Sequence, residues 1–91
     1  MFGFKPPFKI MIAKVLTGIP SLSARDIHQR LLPEYGSEKQ CTLESIEHHL
    51  QAFKAVGMVK VVRAEMHSDE LITHYRLTRS GAEKISKAFP A

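Results

Sequence analysis

The segment Ser45-Ile46-Glu47-His48-His49-Leu50-Gln51-Ala52-Phe53-Lys54-Ala55-Val56-Gly57-Met58-Val59-Lys60-Val61-Val62-Arg63-Ala64-Glu65-Met66 changes its period halfway along. Ahead of Gly57, the apolar residues Leu43, Ile46, Leu50 and Phe53 fall on one stripe when successive residues are turned by about 100°. That spacing predicts a helix over residues 43–56, with Thr42 as its N-cap and Glu44 at the positive end of the dipole. Gly57 suits the left-handed residue that ends a helix. Beyond it the chain is rich in β-branched residues and partly alternating, which predicts a strand over residues 58–66. His67-Ser68-Asp69-Glu70 is a polar break, and Leu71 to Leu77 reads as a second strand. The pair is expected to be a hairpin with a loop longer than two residues. Thr78 can cap a last helix over residues 79–89, with Ala82, Ile85 and Phe89 as its apolar stripe and Pro90 closing it.

Upstream, Ser23-Ala24-Arg25-Asp26 reads as a capping box with Asp in the usual Glu place, and Leu22 and Ile27 stand as the two ends of a hydrophobic staple. The helix they start has Ala24, Ile27 and Leu31 on its core face, and Pro33 is expected to stop it. Residues 33–40 form a polar, turn-rich loop. Before the capping box, Ile19-Pro20-Ser21-Leu22 is held extended by its proline. Earlier still, Pro6 and Pro7 set up a helix over residues 8–17, with Phe8, Ile12, Val15 and Leu16 on one face and Gly18 beyond its end. The order of elements predicts an α+β class: a three-helix core, a β-hairpin and a C-terminal helix. A single domain over residues 1–91, with its core in 8–89, accommodates it.

Composition narrows the function classes. The 91 residues are 44% hydrophobic and 24% charged, the balance of a globular chain and not of a disordered tail. Residues 10–16 are apolar but broken by Lys14, far short of the roughly 18 residues of a membrane span and without a small-residue cleavage site. A single cysteine, Cys41, forms no intramolecular disulfide and needs no oxidising compartment, so a cytoplasmic location is expected. Thirteen Lys and Arg against nine Asp and Glu leave a net charge of +4, which permits a polyanionic partner. No glycine-rich phosphate loop and no nucleophile–base–acid constellation stands out, so no catalytic residue and no cofactor is expected. His48 and His49 are adjacent and diverge on a helix. Cys41 with His48, or His67 with His74, would meet only through tertiary packing, so no metal site is expected. Cys41, ahead of a helix N-terminus, reads either as a thiol activated for redox sensing or as a small apolar filler.

Several stretches resemble one kind of domain. Leu22-Ser23-Ala24-Arg25-Asp26-Ile27-His28-Gln29-Arg30-Leu31 is similar to the second helix of winged helix-turn-helix domains in bacterial regulators. Ser45 to Leu50, with Phe53-Lys54-Ala55-Val56-Gly57-Met58-Val59, resembles their recognition helix and its passage into the wing. Tyr75-Arg76-Leu77-Thr78-Arg79-Ser80-Gly81-Ala82-Glu83 resembles the return strand of the MarR and PadR regulators, and the N-terminal domain of the ferric-uptake regulator shows a similar order. The resemblance covers roughly residues 8 to 89. It implies a small DNA-binding transcriptional regulator, with the third helix in the major groove, the hairpin along the backbone or minor groove, and terminal helices that build a homodimer.

On that reading Glu44, Ser45, His48 and Gln51 face the bases, and Gln51 has the chemistry to pair with adenine in two-bond fashion. Arg25, Arg30, Lys39, Lys54, Lys60, Arg63, Arg76 and Arg79 are the candidates for phosphate. Phe2, Phe4, Phe8, Ile85 and Phe89 are the candidate dimer interface, unless they pack together as a satellite core. Double-stranded DNA and a second copy of the chain are thus the expected partners. Against this, Glu44 and Glu47 repel phosphate, no arginine lies on the third helix, and Glu65, Asp69 and Glu70 make the wing partly acidic. The same face can be the solvated side of an amphipathic helix, and the alternative is a winged-helix adaptor that binds another protein and not DNA.

Overall fold

The computed structural model describes residues 6–88. Helix α1 (Phe8–Lys14) starts at Pro7, whose carbonyl accepts from Ile10 and Met11 at 3.0 and 3.1 Å. Regular helix ends three residues earlier than the spacing predicts. Bonds from Leu16 to Ala13 and from Thr17 to Lys14 tighten the chain into turns that keep Leu16 buried on the same side.

Strand β1 (Leu22–Ser23) leads directly into α2 (Ala24–Tyr35). The capping box is present: the Ser23 hydroxyl accepts from the Asp26 N–H at 3.2 Å, and the Asp26 carboxylate accepts from the Ser23 N–H at 3.0 Å. Pro33 does not stop this helix. It sits inside the last turn and forfeits a single backbone bond, while Tyr35 fixes the turn from outside. The Tyr35 ring lies 5.5 Å from that of Phe8, and its hydroxyl donates to the Pro6 carbonyl at 2.5 Å.

Helix α3 (Leu43–Ala55) is capped by Thr42, whose hydroxyl accepts from the Ser45 N–H at 3.1 Å. It ends as expected at Gly57, with φ of +78°. Met58 N–H reaches the Phe53 carbonyl at 2.8 Å and Gly57 N–H the Lys54 carbonyl at 3.1 Å, the two bonds of a Schellman ending. The chain then runs into β2 (Val59–His67) and returns as β3 (Glu70–Leu77).

The sheet departs from the sequence expectation in two ways. It has three antiparallel strands in the order β1-β3-β2, because Leu22 pairs with Tyr75 and Ser23 with His74. A two-residue strand is too short to leave a period in sequence. The hairpin loop is also tighter than expected: only Ser68 and Asp69 connect the strands, with φ of 50° and 68°. Two successive positive values are those of a type I′ turn, whose twist matches that of the strands. Between Val61, opposite Tyr75, and Arg63, opposite His74, Val62 is an extra residue, a β-bulge.

Helix α4 (Arg79–Ala88) begins at Thr78, whose hydroxyl accepts from the Gly81 N–H at 3.0 Å. Its core face is Gly81 and Ile85. Ala82, expected on that face, is exposed, and Phe89 lies outside the described residues. The rotation follows from close packing, since Gly81 meets the Met58 carbonyl where β2 begins. One core joins Phe8, Ile12 and Leu16 to Ile27, Leu31 and Tyr35, then to Ile46, Leu50, Phe53, Val59, Tyr75 and Ile85. Phe8 at 1% and Ile85 at 6% exposure are therefore covered by their own chain. That corrects the expectation of them as dimer residues. Phe2, Phe4 and Phe89 fall outside the described residues. No helix among the described residues is long and apolar enough to cross a membrane.

Candidate nucleic-acid interface

With Ile46, Leu50 and Phe53 buried, the opposite side of α3 is turned outward. Glu44, Glu47, His48, Gln51, Lys54 and Ala55 are all exposed there, while Ser45 is half-buried. His48 stacks edge-on against the His49 ring at 5.8 Å. His49 is half-buried behind it, and burial, then the charges of Lys9 and His48, hold its pKa below the usual value. Gln51 reaches across to the sheet: its Nε2 donates to the Tyr75 hydroxyl at 3.0 Å. Three of the four residues assigned to bases thus share one exposed face.

Beside this face, a cleft opens between the starts of α2 and α3 and the first part of β3. Ala24, Arg25, Leu43, Glu47, Glu70 and Tyr75 are among the residues lining it. Arg25 is ion-paired there with Glu70 of the hairpin. No sequence spacing signals this contact, because the partners stand 45 residues apart and meet only when the hairpin folds back. The Arg25 guanidinium, expected to hold phosphate, already has an acidic partner.

The remaining cations are spread over the surface. Arg30, Lys39, Lys54, Lys60, Arg76 and Arg79 are exposed. Lys60 and Arg76 lie directly opposite each other on β2 and β3, so two like charges share one spot on the sheet. Arg63 sits within 3.6 Å of the Glu65 carboxylate and 3.4 Å of His74. The same Glu65 oxygen lies 3.3 Å from His74 and 3.7 Å from His67, so the hairpin does bring those two histidines to one acid. Among the described residues no group of three or more His, Cys, Asp and Glu is arranged to hold a metal ion. Cys41 is buried, and burial with the nearby Glu38 charge pushes its thiol pKa up. That corrects the activated-thiol reading in favour of the apolar filler, because a raised pKa leaves little thiolate. The hairpin also exposes apolar side chains: Met66 at 63% and Leu71 at 60%, directly paired, with Val61 and Val62 nearer its base.

No protein-family model matches the chain, and no curated protein matches it. Among solved structures, it is similar to Bacillus subtilis PadR, determined in complex with operator DNA, with a TM-score of 0.75 at 21% identity. The likeness covers 91% of this chain and 46% of that one, so this chain spans about half the length of PadR. At that identity the likeness is one of fold, and it agrees with the helix order, the α2–α3 arrangement and the hairpin described above. The chain has the winged-helix fold.

Proposed function

We propose that this protein is a DNA-binding transcriptional regulator, not an enzyme, in which α3 lies in the major groove. Glu44, Ser45, His48 and Gln51 then face base edges, and Arg30, Lys39, Lys54, Lys60, Arg63, Arg76 and Arg79 supply phosphate contacts, joined by Arg25 once it leaves Glu70. The wing runs beside the backbone. The observation that carries this reading is the outward face of α3, exposed between α2, which bears Arg25 and Arg30, and a hairpin, in a fold that PadR also has when bound to its operator. A domain with one recognition helix gains affinity by pairing, so the chain acts as a homodimer on two half-sites.

Fluorescence anisotropy with random duplex DNA across a salt series tests it. The regulator binds at low salt and loses affinity linearly in log–log form as salt rises. A chain that binds no duplex at low salt is instead a protein-binding adaptor. That second reading draws on Glu44 and Glu47 on the α3 face and on the exposed Val61, Val62, Met66 and Leu71 of the hairpin.

A further inference from the structure

Gln51 is exposed on the outer face of α3, yet its side chain is anchored. Its amide is tied to the Tyr75 hydroxyl at 3.0 Å, a bond between the middle of α3 and the middle of β3. Tyr75 is 5% exposed, and it is flanked in the sheet by Leu22 on one side and Val61 on the other. Its hydroxyl is therefore placed by the sheet and not by a mobile side chain. Burial first, together with the Glu47 charge, outweighs the Gln51 bond and raises the phenol pKa, so the hydroxyl stays protonated near neutral pH.

A glutamine amide offers two N–H donors and one carbonyl acceptor. With one N–H engaged by Tyr75, one N–H and Oε1 remain. In the major groove adenine presents an acceptor at N7 beside a donor at N6, which that remaining pair matches. Guanine presents two acceptors, and thymine an acceptor beside a methyl group, so neither satisfies both halves of the amide. An unrestrained glutamine can rotate to suit several bases; one held at its nitrogen has lost most of that freedom.

Resting on the DNA-binding reading above, we infer that Tyr75 is a positioning residue that locks the Gln51 amide for adenine. One A·T pair of the target is then specified jointly by α3 and β3. The wing strand thus takes part in base readout without touching a base.

The test is selection from a randomised duplex pool by the full chain, followed by sequencing, with anisotropy on the unselected pool as the measure of non-specific affinity. The wild-type chain enriches a site with an invariant A·T pair. Gln51→Ala loses preference at that pair, about tenfold for a two-bond contact. Tyr75→Phe keeps the ring in the core and loses preference at the same pair, with pool affinity within about twofold of wild type. A merely structural hydroxyl would shift the melting point or weaken all sequences together and leave the preference intact. Gln51→Glu replaces the amide donor by a carboxylate that accepts from the Tyr75 hydroxyl, so the tie is reversed in direction; it has no donor for N7 and moves the preference towards C·G, since a carboxylate accepts from cytosine N4. If Tyr75→Phe fails to fold, the side-chain amide protons of Gln51 in the wild-type chain decide the matter by nuclear magnetic resonance: one is protected from exchange in the free protein and the other shifts when a selected duplex binds, whereas two freely exchanging protons overturn the inference. Retained A·T preference in Tyr75→Phe, or loss at a different position from Gln51→Ala, overturns the inference. Failure of the wild-type chain to bind the pool at all overturns the regulator reading beneath it, and is distinguished by that measurement alone.

Discussion

Gly81 is the residue on which the docking of the last helix turns. A Cβ there would stand 2.1 Å from the Met58 carbonyl oxygen, a backbone atom that cannot swing aside. The Thr78 hydroxyl sits between the Gly57 and Met58 carbonyls at 2.6 and 3.1 Å, so both chains are held at this point. Gly81→Ala must push α4 away from β2, at a cost of about 1–3 kcal/mol. The urea midpoint should fall with the m-value unchanged, whereas an unaltered midpoint would mean the contact is looser than described. His49 makes the stability depend on pH. Its folded pKa lies below the ordinary 6.5, so the unfolded chain takes up the proton first as pH drops. Its contribution to stability is whole above that value and is lost as pH falls from 6.5 towards the folded pKa. Asp26, held low chiefly by the Ser23 backbone N–H, gives up its contribution only below 3.8 and does not intrude. Urea midpoints at about pH 7.5 and about pH 5.5 should differ in the wild type, and the difference should narrow in His49→Gln. An equal drop in both would put the sensitivity elsewhere.

Between elements, the contact of most consequence is the one from α2 to the hairpin. Arg25 and Glu70 are both more than half exposed, so their pairing adds little stability, but each arginine so held is one fewer cation for phosphate. Glu70→Gln should therefore leave the melting point nearly unchanged, tighten binding to random duplex, and steepen the log–log salt slope by about 0.9, the equivalent of one released counterion. Arg25→Ala in that background should cancel the gain; an undiminished gain would show that Arg25 meets no phosphate. The elements themselves were largely readable because their signals are local: the Ser23–Asp26 capping box, Thr42, Gly57 and the helical stripe through Ile46, Leu50 and Phe53. What escaped the sequence is what tertiary structure decides. Pro33 is tolerated because Tyr35 is fixed by Phe8 and Pro6, which are distant in sequence. Ser68-Asp69 makes a two-residue turn although neither residue is glycine. At the site, the helical wheel found the outward residues of α3, but it carried no sign of Tyr75 behind Gln51 or of Glu70 on Arg25, since both partners come from β3.

At the scale of the whole molecule, reach and charge argue for binding in pairs. The described chain measures 47 by 31 by 20 Å, and α3, with 13 residues, is about 20 Å long, enough for one passage of a major groove. A net charge of +4, with Arg25 and Arg63 both beside acids, weakens the electrostatic hold of one copy on a duplex. Two copies on half-sites about 34 Å apart double the contacts and fix the register between them. Phe8 and Ile85 are closed inside each copy, so the pairing surface is sought at Phe2, Phe4 and Phe89, outside the described residues. Sedimentation of the chain with a selected duplex should give two copies per duplex, bound cooperatively. Inserting about five base pairs between the half-sites turns the second copy to the opposite side of the helix and should abolish that cooperativity while each half-site still binds. Replacing Phe2, Phe4 and Phe89 together by serine should have the same effect on the intact duplex and leave the salt slope of a single half-site unchanged. Cooperativity that survives the inserted half-turn would mean the two copies do not touch, and occupancy by one copy of an intact palindromic site would exclude the dimer.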